Sequence, residues 1–169
     1  MGFPRRRLEN GEWVDPFSDP IIDMLGADQV LCVEKPFMGE HSRPPRTRGI
    51  VYFDWVTALS LVISQIGFFV PLIIFRGEIS DLALKAHHVT GISRRRISLL
   101  AAKATVRFWF ERLVARALLS IVRPQAVLLT IRRHHYPLIH VCRIRGIPIY
   151  ELQHGAIAEG GYKYSTPYD

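Results

Sequence analysis

The sequence predicts an α/β fold, a three-layer domain in which helices cover both faces of a parallel β-sheet. The chain has 169 residues, enough for one domain with a buried core. Its composition is that of a globular protein, with 49% apolar and 22% charged residues. A strand, a helix and a second strand follow one another near the end of the sequence, the order of a βαβ unit with a right-handed crossover.

The first part of the chain predicts only short elements. Residues 1–20 are polar and rich in proline, so we expect them to be irregular. Asp19 as N-cap and Pro20 as first helical residue predict a short helix that a glycine ends. Apolar runs at 30–34 and 50–53 predict two short strands, separated by a loop rich in proline and arginine.

The 21 residues from Trp55 to Phe75 carry no charge, and a run of this length can span a bilayer. Three polar residues nevertheless form a stripe at helical spacing, and a glycine and a proline interrupt the run. These residues are Ser60, Ser64, Gln65, Gly67 and Pro71. We therefore predict a buried helix or helix pair, with a membrane span as the alternative.

Two further helices are predicted, over 77–91 and over 93–122, where Ser93 can cap the second helix and Pro124 follows its end. Basic residues on the second helix fall on two stripes, which we interpret as a solvated face with arginine stems along the protein. An RNA-binding helix is the alternative. The sequence contains no signature of a common RNA- or DNA-binding fold, so we expect no nucleic-acid partner.

The charge and the cysteine content limit which partners and which cellular compartment suit the protein. The net charge is +7, with 18 arginines and four lysines, which suits nucleic acid, an anionic membrane face or phosphorylated substrates. Cys32 and Cys142 lie far apart, so we expect two buried thiols in a reducing compartment rather than a disulfide scaffold. No secretory signal is visible at the start, which predicts a cytoplasmic location.

The end of the sequence carries the strongest pattern. A continuous apolar run at 126–131 predicts a strand buried on both faces, and 136–145 predicts a helix that Gly146 ends. A second strand follows at 147–152. Parallel strands joined in this way form a Rossmann-like sheet, whose ligands bind at the carboxyl ends of the strands.

Gln153, His154 and Gly155 follow that second strand directly. A neutral imidazole at this position can take a proton from a hydroxyl nucleophile, and Gly155 lets a substrate approach the backbone closely. A histidine that only hydrogen-bonds the loop is an equally good interpretation of the position.

The stretch from Arg123 to Tyr168 resembles the end of the amino-terminal half of bacterial surface-carbohydrate glycosyltransferases of the GT-B type. The matching residues are Gly146-Ile147-Pro148, Glu151-Leu152-Gln153-His154-Gly155, Tyr162-Lys163-Tyr164 and Pro167. The stretch also looks distantly like the His-Gly motif of glycerophosphate transferases that build teichoic acids. The clear match covers about a quarter of the chain, and 19–22 and 51–54 are compatible with the same family.

The resemblance implies a role for each matched residue. His154 is the candidate general base that activates the acceptor hydroxyl, Gln153 and Gly155 shape the loop, and Tyr162 and Tyr164 line the acceptor side. The resemblance further implies a nucleotide-activated sugar as donor, a glycan acceptor, and no other cofactor.

Three other residues, which lie in or shortly after the two predicted strands, have two interpretations each. His134 and His135 follow the preceding strand, where they can touch a phosphate or an acceptor, or lie exposed in a loop. Glu151 faces either the sheet or the cleft. No carboxylate or cysteine spacing supports a metal site built from the two histidines and His154, so we expect none.

In the GT-B family a second Rossmann-like domain holds the donor, and we expect that domain to be missing from residues 1–169. The chain is then a fragment of a longer protein or a truncated gene product, or a partner subunit supplies the second domain. Neither a G-x-G-x-x-G nor a Walker A sequence is present. The basic charge suits a peripheral position on the inner membrane. The alternative function is a non-enzymatic basic α/β module that binds nucleic acid or an anionic membrane surface.

Overall fold

A computed structural model describes residues 6–7, 10–15, 18–34, 41, 45, 49–129 and 135–152 of the chain. The structure is mixed α/β and mostly helical. Its contacts divide the chain into two compact units, where the sequence predicted one domain. One unit, here called the helical unit, spans 54–123, and the other combines 1–53 with 124–169 and is called the mixed unit.

The described residues form six helices and six short strands. In chain order they are β1 Arg6–Arg7, β2 Trp13–Val14, α1 Asp19–Leu25, β3 Val33–Glu34, β4 Val51–Tyr52, α2 Asp54–Gly67, α3 Phe69–Ile74, α4 Arg76–Thr90, α5 Arg94–Val122, β5 Val127–Leu129, α6 Tyr136–Ile144 and β6 Ile149–Glu151.

The strands of the mixed unit form separate two-stranded sheets among the described residues. β3 pairs with β4, and β5 with β6, both in parallel. β1 and β2 form an antiparallel pair within the segment that the sequence predicted to be irregular. The prediction of an α/β chain with parallel strands is therefore confirmed, while the larger three-layer sheet goes beyond what these pairs establish.

The helix ends follow the local sequence closely. α1 begins one position earlier than expected, with Ser18 at the N-cap and Asp19 as a helical residue. The carboxylate of Asp19 is buried and accepts the backbone N–H of Asp15 at 2.9 Å, which holds the chain that enters the helix. α5 has Ser93 at its N-cap, as predicted, and ends at Arg123, whose φ of 49° lies in the left-handed region.

α5 is the longest helix of the helical unit, and α2, α3 and α4 all pack against it. Lys103 of α5 contacts Gln65, and Val106 lies beside Gly67. Further along, the rings of Trp109 and Phe75 are 5.9 Å apart. α4 returns antiparallel to α5 through a three-residue turn.

The buried residues of α2 are Val56, Ser60 and Ser64, so this face consists of medium-sized and small side chains. Ser60 and Ser64 are fully buried, and their hydroxyls donate to the carbonyls of Thr57 and Leu61 at 2.9 and 2.7 Å. A Cβ placed on Gly67 would lie 3.5 Å from a methyl group of Val106, so the two helices approach closely there. Because the hydroxyls satisfy themselves on their own helix, the buried face carries no polar group that needs a partner on α5.

The uncharged run from Trp55 to Phe75 therefore forms the predicted helix pair, α2 and α3. Phe68 separates the two helices. Pro71 fits because it lies in the first turn of α3, where its missing N–H costs no hydrogen bond. The prediction that the pair is buried is wrong, since Ile66 is 69% and Ile73 is 73% exposed. In the described part of the chain, no helix combines the length and apolar character needed to cross a bilayer.

We predict that Ser64→Leu destabilises the protein by about 1–3 kcal/mol, because the larger side chain has no room between α2 and α5. The free energy of unfolding from urea titration measures the effect. Ile66→Leu, on the exposed side of the same helix, is the matched control and should stay within about 0.5 kcal/mol of the wild type. Equal effects of the two changes would contradict the assignment of the buried face.

Candidate functional site

The predicted strand–helix–strand unit is present at the end of the described chain. β5 and β6 pair in parallel, with Val127 opposite Ile149 and Leu129 opposite Glu151. The ladder begins where Val127 N–H donates to Pro148 at 2.9 Å and ends where Leu152 N–H donates to Leu129 at 2.8 Å. The last ladder bond thus lies one residue before Gln153 in the sequence.

α6 covers one face of this pair of strands. Pro137 lies in its first turn, where a missing N–H is tolerated, and Gly146 follows its end with a φ of 66°, as the sequence predicted. Ile139, Val141 and Cys142 are its buried residues. The unit is therefore built as an ordinary α/β crossover, with the carboxyl ends of both strands at one edge.

A cavity of about 280 Å³ lies between α6 and the strands. Leu129 and Glu151, the last residues of β5 and β6, line it together with residues of α6 and the following loop. The side chains from helix and loop are Ile139, Arg143 and Ile147, and Ile149 of β6 completes the lining. Glu151 is exposed and belongs to the cavity wall, on the same side of the strand as Ile149.

Arg143 is the residue of this cavity that the sequence analysis missed. It stands one helical turn after Ile139, so the two share a face of α6. Its spacing of four positions from Ile139 is the sequence signal that could have placed it toward the strands. A guanidinium and a carboxylate, Arg143 and Glu151, therefore line the same cavity, which suits a polar ligand bound by hydrogen bonds.

Of the predicted site residues, the structure describes only His135. It is half-buried at the N-cap of α6, and its carbonyl accepts the N–H of Ile139 at 2.9 Å. It thus lies between the end of β5 and the start of α6, where the sequence placed it. The other predicted site residues lie outside the described residues: His134, Gln153, His154, Gly155, Tyr162 and Tyr164.

Within the described ranges, no group of three or more histidine, cysteine, aspartate or glutamate side chains could hold a metal ion. The two cysteines form no disulfide; Cys142 is buried and Cys32 half-buried, so the expectation of two buried thiols holds for one of them. Burial raises the pKa of the Cys142 thiol above its ordinary value, an effect that the positive charge of Arg145 partly opposes. Burial therefore favours the protonated thiol, which is the less nucleophilic form.

Comparisons of the chain with protein-family models, with curated proteins and with solved structures found no match.

We predict that Cys142 reacts about tenfold or more slowly with a thiolate-selective disulfide reagent than an unfolded thiol does at pH 8, because it is buried and protonated. A Cys32→Ser variant makes Cys142 the sole reporter, and urea should restore full reactivity. Since the folded state holds the proton more tightly, stability present below the unfolded pKa falls as pH rises through the alkaline range. Fast labelling in native buffer would contradict the burial of this side chain.

Proposed function

We propose that this chain is the acceptor-side half of a glycosyltransferase of surface-polysaccharide synthesis. The observation that supports the proposal is the parallel pairing of β5 and β6 across α6. The pairing places Leu129 and Leu152, which precede the predicted site segments, side by side at the carboxyl edge where α/β folds bind ligands. The Gln153-His154-Gly155 sequence begins at the next residue.

In the proposed reaction, the neutral imidazole of His154 takes the proton of an acceptor hydroxyl as its oxygen attacks the anomeric carbon of the donor sugar. The new bond joins that carbon to the acceptor oxygen. The bond between the anomeric carbon and the nucleotide phosphate oxygen breaks, and the nucleotide leaves with the electron pair. Gln153, Gly155, Tyr162, Tyr164, His134 and His135 are proposed to bind the substrates, with no metal ion and no further cofactor.

The proposal includes a larger fold than the described strand pairs. We propose that the β5–α6–β6 unit is part of a Rossmann-like three-layer sheet, and that a second domain or subunit binds the nucleotide-sugar. The absence of a glycine-rich phosphate loop from the sequence supports a donor site elsewhere. The reaction is placed in the cytoplasm, the compartment that suits two cysteines without a disulfide.

We predict that His154→Ala lowers turnover by about 10²-fold or more, because the acceptor hydroxyl loses its base. The assay measures nucleotide release from nucleotide-sugar donors by the protein as its native cell produces it, with cell-envelope glycans as acceptors. His88→Ala, at an exposed position of α4, is the matched histidine control and should keep turnover unchanged. Near-normal turnover of His154→Ala removes this residue from the role of base.

We also predict that the 169-residue chain alone binds acceptor oligosaccharides but not nucleotide-sugars. Saturation-transfer NMR with both ligand classes measures this directly. A non-enzymatic basic module, the alternative function, predicts instead that neither ligand binds and that His154→Ala changes nothing. Tight nucleotide-sugar binding by this chain alone would contradict the assignment of the acceptor side.

A further inference from the structure

The helical unit exposes a stripe of large apolar side chains on α2 and α3. Its members recur at alternating spacings of four and three positions, so those on α2 share one side of that helix and those on α3 share one side of α3. They are Trp55, Leu59, Val62, Ile66, Phe69 and Ile73, here called the apolar stripe. All six are between 42% and 73% exposed. On α2 the stripe lies opposite Ser60 and Ser64, the small residues packed on α5.

This distribution reverses the usual order for a helix in water, where large apolar residues are buried and serines face the solvent. Small side chains between helices and large apolar side chains outside are typical of helices in contact with lipid. At 1.5 Å per residue, the part of the stripe on α2 extends about 16 Å. That is a continuous apolar surface of the kind that marks an interaction site.

Nearly all of the chain's net positive charge lies in the same unit. Residues 54–123 contain ten basic and four acidic side chains, a net charge of +6 out of +7 for the whole chain. Lys103 lies along one flank of the stripe, since it donates to Gln65 and its ammonium group is 5.7 Å from the centre of the Phe68 ring. The apolar stripe thus has one cation beside it and lies in a unit of net positive charge.

The start of α5 adds a second unusual feature. Arg94, Arg95 and Arg96 are exposed in its first turn, which contains no acidic residue. Helix N-termini carry partial positive charge, so three cations there destabilise the helix unless an anion neutralises them. These arginines belong to the same unit as the apolar stripe and add to its net positive charge.

We propose that the helical unit docks on an anionic lipid surface, with the apolar stripe lying in the plane of the interface and the basic residues against the headgroups. An apolar face with flanking basic residues is the pattern of helices that lie in membrane interfaces, and Trp55 is the side chain that such interfaces favour. A second copy of this chain fits the stripe less well, because dimerisation through it brings two units of +6 together. The inference rests on the helical unit alone and is independent of the proposed function.

The test is cosedimentation of the full chain with vesicles made of equal parts of phosphatidylglycerol and phosphatidylcholine, and with vesicles of phosphatidylcholine alone. We expect binding to the anionic vesicles that weakens about tenfold or more without phosphatidylglycerol. The double variant Val62→Ser/Ile66→Ser should lose about tenfold or more in partitioning, because two apolar side chains leave the lipid. Full-strength binding by this variant, or no binding by the wild type, would overturn the proposal.

Two controls keep the result specific. Leu82→Ser removes an equally exposed apolar side chain from α4, beside the acidic Asp81, and should bind as the wild type does. Arg95→Glu should unfold at a higher urea concentration and yet bind vesicles more weakly, because it relieves the charge at the start of α5 and lowers the net positive charge that attracts the anionic surface. Equal loss from Leu82→Ser, or stronger vesicle binding by Arg95→Glu, would contradict the assigned surface.

Two alternatives, dimerisation through the apolar stripe and a membrane span, would each give a distinct result that overturns the docking model. A wild-type dimer in sedimentation equilibrium that the double variant reduces to a monomer assigns the stripe to a second copy. Resistance of the membrane-bound protein to alkaline carbonate extraction assigns the run from Trp55 to Phe75 to a membrane span. Release by carbonate supports binding in the plane of the interface.

Discussion

The helical unit depends on the close approach of α2 to α5. Ser60, Ser64 and Gly67 leave room for the neighbouring helix, and Val106 fills the gap beside the glycine. Dispersion contacts at this distance stabilise the pair although the buried side chains of α2 are small. The cost of the arrangement is that the large apolar residues of α2 have only the outer side left to occupy, so the exposed stripe follows from the packing.

The ends of the helices were predictable because they depend on a few neighbouring residues. Ser93 before α5, Gly146 after α6 and the proline in the first turn of α6 each act through local backbone geometry. The order of β5, α6 and β6 was predictable for a similar reason, since a short apolar strand before and after a helix has few arrangements. The candidate site could be placed at the carboxyl edge of the strands from that order alone.

The buried side of α2 could not be predicted in the same way. Periodicity distinguishes the stripe of Ser60 and Ser64 from the stripe of Val62 and Ile66, but it does not say which stripe contacts a partner. That choice depends on α5, whose buried Val106 lies beside Gly67. Likewise Arg143 was missed because its role depends on a cavity formed by residues of three elements.

The separation of α2 and α5 in the sequence has a consequence for how the chain folds. Gln65 and Lys103 are 38 positions apart, whereas α4 and α5 are joined by a three-residue turn. Local contacts close at lower entropic cost, so the α4–α5 hairpin should form first and α2 should dock onto it afterwards. During synthesis α2 leaves the ribosome well before α5, and for that interval both of its faces are uncovered. Nascent chains in this condition are the ones that aggregate most readily, unless another surface receives them.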